Sequence, residues 1–253
     1  MSLHEDMVKH GHTMFRYRSY LPLLIIGPLL IAMKESVYVE NLVGDRVEDL
    51  WVLLSFIISL TGFAIRCYTV GHVPAGTSGR NTQSQRAHGL NTTGAYSIVR
   101  NPLYLGNFII ILGVLLSIKV WWLIALGCLA FFIYMERIIL AEETFLAETS
   151  GRQYTDWREK TPVILPSFKL WQKSELPFSW KTVMKREYPA LIAIGSVFFI
   201  TELVTDLYFE GENLGEWLID DWAWPVMFAV FLVAGLTCRY LKKYTSSLKV
   251  EGR

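Results

Sequence analysis

The stretch LYLGNFIIILGVLLSIKVWWLIALGCLAFFIYMERIIL, residues 103–140, decides the fold. It holds two apolar runs, 103–118 and 121–140, separated by Lys119 with Trp121 and Trp122 close behind it. Each run approaches the roughly 20 residues with which a helix crosses a bilayer. A lone lysine beside two tryptophans suits a tight turn at a membrane–water interface. The pair therefore reads as an antiparallel membrane hairpin whose two far ends are neighbours.

Working outward, further apolar runs cover 20–33, 50–70, 190–207 and 222–241. The 253-residue chain is 52% hydrophobic and 14% aromatic, with mean hydropathy +0.32, which is too apolar for an ordinary soluble domain of this size. The first run is short and contains Pro28, so a kinked or tilted helix is expected there. Loop charges alternate. Lys9, Arg16 and Arg18 precede the first run; Glu35, Glu40, Asp45, Glu48 and Asp49 follow it; Arg80, Arg86 and Arg100 come next. The segment 152–186 is rich in Lys and Arg, the loop after it holds five carboxylates and no Lys or Arg, and the C-terminus is basic again. The positive-inside rule then predicts an all-α, polytopic bundle of about six transmembrane helices with both termini in the cytosol. No cleavable signal peptide is expected. Cys67, Cys128 and Cys238 show neither a disulfide framework nor zinc spacing. A net charge of +1 gives no sign of a nucleic-acid partner.

Four parts follow from this pattern: a cytosolic segment 1–19, a four-helix core 20–166 with polar loops, a basic aromatic linker 167–187, and two further helices with a tail, 188–253. The linker mixes Phe168, Trp171, Phe178 and Trp180 with Lys169, Lys173 and Lys181, as a segment lying at the inner interface or an ordinary tether would.

The chemistry-bearing residues gather at one membrane face. The loop 72–99 is rich in Gly, Thr, Asn and Gln, and reads either as a surface loop or as one that approaches a ligand closely. Asn101-Pro102 is a favoured helix start. The same geometry, with Arg100 beside it, favours an anion at the helix N-terminus. Glu136, Arg137, Glu142, Glu143 and Glu148 mark the far end of the partner helix, as a solvated helix end or as part of a site. His4, His10 and His12 lie on a terminus expected to be mobile, and no metal site is expected. Glu202 and Asp206 fall toward the outer end of their run, where a wetted helix end is expected.

The run Thr92-Thr93-Gly94-Ala95-Tyr96-Ser97, then Arg100-Asn101-Pro102-Leu103-Tyr104-Leu105-Gly106, then Glu142-Glu143, Ser150-Gly151, Tyr154 and Pro162, resembles the isoprenylcysteine carboxyl methyltransferase family and its phospholipid methyltransferase relatives. The likeness covers about 80–166. It implies S-adenosylmethionine as cofactor, held at the cytosolic face by Gln83, His88, Leu90, Tyr96, Asn101, Pro102, Tyr104, Glu142 and Glu143. Arg100 and Arg137 are the residues expected to orient the acceptor. Two departures stand out: Asn101 replaces the family's His, and Ile138 occupies the place of its acceptor-contacting Arg, next to Arg137.

The resemblance implies methyl transfer to a membrane-embedded acceptor. The candidates are a lipid head group, through a phosphate (lipid A-like) or another oxyanion, and a prenylcysteine carboxylate. The expected location is a bacterial inner membrane. A steroid-reductase-like NADPH enzyme is one alternative, because such proteins share a similar Arg-x-Pro-x-Tyr-x-Gly run. A non-catalytic membrane protein is another.

Overall fold

In a computed structural model of the protein, residues 2–17, 24–74, 90–250 and 252 are described. All regular structure among them is helical: α1 (Leu3–Arg16), α2 (Ile26–Val43), α3 (Asp45–Gly71), α4 (Ala95–Ile98), α5 (Pro102–Ser117), α6 (Trp121–Lys160), α7 (Trp180–Val204), α8 (Leu214–Asp220) and α9 (Ala223–Tyr244). A π-helical turn, Thr205–Glu210, continues α7.

Four described helices are long and apolar enough to cross a membrane: Arg46–Gly71, Trp121–Lys160, Trp180–Glu210 and Ala223–Tyr244. Their outward faces suit lipid. Leu129 and Phe132 on α6 and Val226, Val230 and Val233 on α9 are all at least half exposed, an arrangement that water would penalise and acyl chains do not. Six spans were expected. The fifth apolar helix, α5, has only 16 residues, a rise of about 24 Å. The expected first run, 20–33, lies partly outside the described residues. Its described part falls in α2, which continues through Lys34 and Glu35. Pro28 sits in the first turn of α2, where its missing N–H breaks no helical hydrogen bond.

The expected hairpin is present. α5 ends at Ser117, α6 starts at Trp121, and Lys119 turns the chain with φ +63°. Lys119 forms a largely buried ion pair with Glu48, and Trp122 Nε1 donates to Glu35 Oε2 at 2.7 Å. Ala32, Met33, Leu115, Ile118, Val120 and Leu123 make the apolar cluster at this end.

α3 and α5 pack most extensively. Small residues bring their backbones together: a Cβ on Gly62 would stand 2.6 Å from the Gly106 carbonyl oxygen, and one on Gly113 would collide with Ser59. Such close backbone approach is how helices associate where lipid removes the hydrophobic drive. α7 packs on α3 through Val52, Ile194 and Phe198, and α9 packs on α7.

The N-terminal segment, expected to be mobile, is instead an amphipathic helix. Ser2 and Glu5 form a capping box, and Phe15 and Gly11 are buried. Gly11 crosses α6 directly over the Arg137 carbonyl and Ala141, where any side chain would clash. An apolar stripe on α1 therefore finds a partner on α6.

Candidate active site

The site grows from the corner between α4 and α5. Gly94 turns the chain with φ +61°, a conformation that favours glycine, and Ser97 Oγ donates back to the Gly94 carbonyl at 2.7 Å. One helical turn, α4, presents Tyr96; Val99 is extended and the chain bends at Arg100 before Pro102 opens α5 as its first residue. The Asn101 side chain does not cap α5. Its Nδ2 donates instead to the Val163 carbonyl at 3.2 Å, and the Arg100 N–H donates to the Pro162 carbonyl at 2.8 Å. This departure from the family's His therefore ties the corner to the segment after α6.

The paired glutamates divide their partners. Neighbours on a helix point about 100° apart, so Glu142 and Glu143 reach different groups. Tyr104 OH donates to Glu142 Oε1 at 2.8 Å. Arg100 Nη1 stands 2.8 Å from Glu143 Oε1 as an ion pair, with both side chains largely buried. The fully buried Tyr154 brings its hydroxyl beside Arg100 and Glu143. Gly151, at φ +51° inside α6, bends that helix between the glutamates and Tyr154. Trp157 Nε1 donates to the Tyr96 carbonyl at 3.2 Å, closing the bent end onto α4.

Electrostatics sharpen the picture. Burial first, then the Glu142 carboxylate, holds the Tyr96 phenol well above its ordinary pKa, although part of the residue reaches the surface. Tyr96 is thus a neutral donor. Among the described residues, Arg100 Nε, Glu143 Oε1, Tyr154 OH and Arg137 Nη1 are buried polar atoms without an aligned hydrogen bond. Glu143 Oε1 and Tyr154 OH nonetheless lie against Arg100, so the corner gathers charges of both signs in a largely buried space.

Arg100, Tyr104, Glu142 and Glu143 thus meet, with Tyr96 and Asn101 on the adjoining corner and Pro102 buried at the start of α5. Leu90 is half-buried at the edge of the described loop; Gln83 and His88 lie outside the described residues. Arg137 sits one turn before the glutamates, its Nη1 3.9 Å from Glu136 Oε2, while Ile138 is fully buried. Glu136 is half exposed. His4, His10 and His12 are exposed on α1, and no group of three His, Cys, Asp or Glu among the described residues is placed to hold a metal ion.

Sequence reasoning missed the neighbouring network. Arg66 on α3 donates from Nε and Nη2 to Glu187 on α7 at 2.8 and 2.9 Å, and from Nη1 to Asn107 on α5 at 2.5 Å. An arginine inside an apolar run was the signal available. The outer carboxylates also differ from expectation. Glu202 is buried, and Asp206 accepts from Trp217 Nε1 at 2.6 Å, because α8 folds over them. An apolar cavity of about 460 Å³, lined by Leu30, Val204, Tyr208 and Phe209, lies at the same end of α7.

Residues 51–153 match the family model described as phospholipid methyltransferase, the family that the motifs resemble. The nickel-cobalt-cadmium resistance protein NccN of Alcaligenes xylosoxydans xylosoxydans is 28% identical over 159 residues, covering 62% of this chain and 68% of that protein. No solved structure matches significantly. The matched residues run from within α3 to the bend of α6 and leave α1, α2 and α7 to α9 outside.

Proposed function

We propose that this membrane protein, with its phospholipid methyltransferase-family segment, transfers a methyl group from S-adenosylmethionine to an oxyanion on a membrane-embedded acceptor. The observation that supports this reading is the junction of Tyr104–Glu142 with Arg100–Glu143, with the Tyr154 hydroxyl beside the latter pair. The donor set suits the cofactor. Carboxylates match its ammonium and ribose hydroxyls, an arginine matches its carboxylate, and Tyr96 and Tyr104 offer aromatic faces to its sulfonium.

When bound, S-adenosylmethionine supplies a methyl group already attached to a good leaving group. The remaining task is positioning and exclusion of water. Glu142, oriented by Tyr104, would hold the positive end of the cofactor, and Glu143 and Tyr154 keep Arg100 in place. Arg100 and Arg137 orient the acceptor oxygen, which attacks as an anion and needs no general base. A lipid phosphate and a prenylcysteine carboxylate both meet that requirement. The charge pattern of the loops supports a cytosolic site.

The test is transfer of labelled methyl from S-adenosylmethionine into total membrane lipids, with mass spectrometry of the product. Labelled lipid is the expected result, and label in protein alone would redirect the acceptor to a prenylated protein. Titration with S-adenosylhomocysteine should show binding and NADPH none; the reverse outcome would overturn the reading.

A further inference from the structure

The segment that follows α6, residues 161–179, is not a tether. It is a strap fixed by backbone hydrogen bonds to the corner that carries Tyr96 and Arg100. The Ser167 N–H donates to Ile98 O at 2.9 Å, the Arg100 N–H to Pro162 O at 2.8 Å, the Gly94 N–H to Gln172 O at 3.0 Å, and the Ser179 N–H to Gly71 O at 2.9 Å. The Gln172 N–H donates to Ser97 Oγ at 2.9 Å. The inner edge is thus committed on both sides of α4 and to the end of α3. Phe178 fills the space over Gly71, where a side chain would clash.

Among the described residues, the outer edge is largely exposed. Leu165 is 80% exposed and Phe168 76%, and Trp180, which opens α7 directly after the strap, is 69% exposed, a large apolar surface for so short a stretch. Lys169, Lys173 and Lys181 are exposed among them, against the single carboxylate of Glu175. The strap joins the end of α6 to the start of α7, so it lies at the end of the bundle where membrane helices leave the bilayer. Apolar and aromatic side chains alternating with lysines at that depth have two complementary layers to meet, acyl-chain boundary and phosphate. Each lysine near an anionic surface adds on the order of fivefold to the partition.

We propose that the outer edge of this strap is a docking surface for anionic lipid head groups. Lipid binding there tightens the strap, and through its backbone bonds holds the Gly94–Arg100 corner in the conformation described above. The coupling requires no new contact at the corner itself, only that the strap's open, unbound states become less populated.

Hydrogen–deuterium exchange of the full chain in nanodiscs tests this without reference to methyl transfer. The probes are phosphatidylcholine discs and discs that also contain phosphatidylglycerol. Amides of Gly94, Arg100, Ser167 and Gln172 should exchange roughly tenfold more slowly with the anionic lipid. The triple variant Lys169→Gln, Lys173→Gln, Lys181→Gln should lose that slowing, as should Leu165→Ser with Phe168→Ser. The control Lys242→Gln with Lys243→Gln, on the basic end of α9, should keep it. Equal exchange of the unmodified protein in both lipids would overturn the proposal. So would slowing that persists in the triple variant, or that disappears in the α9 control.

Discussion

Glu142 and Arg100 are one residue each, but both are held by partners from another element, and that gives them distinct expected phenotypes. Glu142→Gln keeps the shape and removes the charge that Tyr104 orients. Arg100→Ala leaves Glu143 and Tyr154 facing an empty, largely buried space. Each variant should reach the membrane fraction at normal levels and transfer no labelled methyl; normal turnover by both would sink the site assignment. Tyr104→Phe is milder. A hydrogen bond to a charged group contributes about 2 kcal/mol, so S-adenosylhomocysteine should bind roughly thirtyfold more weakly by calorimetry. Unchanged affinity would place Glu142 outside the cofactor contact.

Single residues also decide whether helices meet. Glu187 is 3% exposed and carries both Arg66 contacts between α7 and α3. Removing one member of a buried pair leaves an uncompensated charge and costs about 3–5 kcal/mol. Glu187→Ala should therefore lower the detergent-solubilised Tm markedly, while Arg66→Met with Glu187→Met should recover most of it. Two equal losses would mean that the pair's charges do not compensate each other. Gly11→Leu tests the other peripheral helix. With a side chain forced against the Arg137 carbonyl, α1 should leave α6 and become sensitive to limited proteolysis within 3–16. Continued protection would show that α1 is held elsewhere.

At the scale of the molecule, the family-matched segment 51–153 is built into a larger frame. The strap pins its corner, α7 binds Arg66, and α1 covers the Arg137 turn. A chain ending at 166 loses the Ser167, Gln172 and Ser179 bonds together with Glu187. It should still enter membranes, since α3 and α6 remain, yet fail to bind S-adenosylhomocysteine in a thermal-shift assay. Wild-type binding by that truncated chain would show that the family segment is self-sufficient.

Much of this was legible in the residues. Apolar runs of near-membrane length specify helices because a bilayer leaves no other way to satisfy the backbone, and Lys119 with its tryptophans marked the one hairpin that brings Tyr104 to Glu142. The order Arg100, Asn101, Tyr104, Glu142, Glu143 carried the family likeness. What the sequence could not specify were pairings across long separations. Arg66 and Glu187 are 121 positions apart, and nothing local to either predicts the other. The strap's sequence reads as a basic aromatic linker, and its backbone bonds to a distant corner are not encoded in the side-chain pattern. α1 looked mobile because its apolar stripe has meaning only once α6 offers a groove for Gly11. Local composition determined which segments cross the membrane and which residues could bear charge there. Tertiary packing alone decided which charges meet, since a buried ion's partner is set by helix crossing and not by its neighbours in the chain.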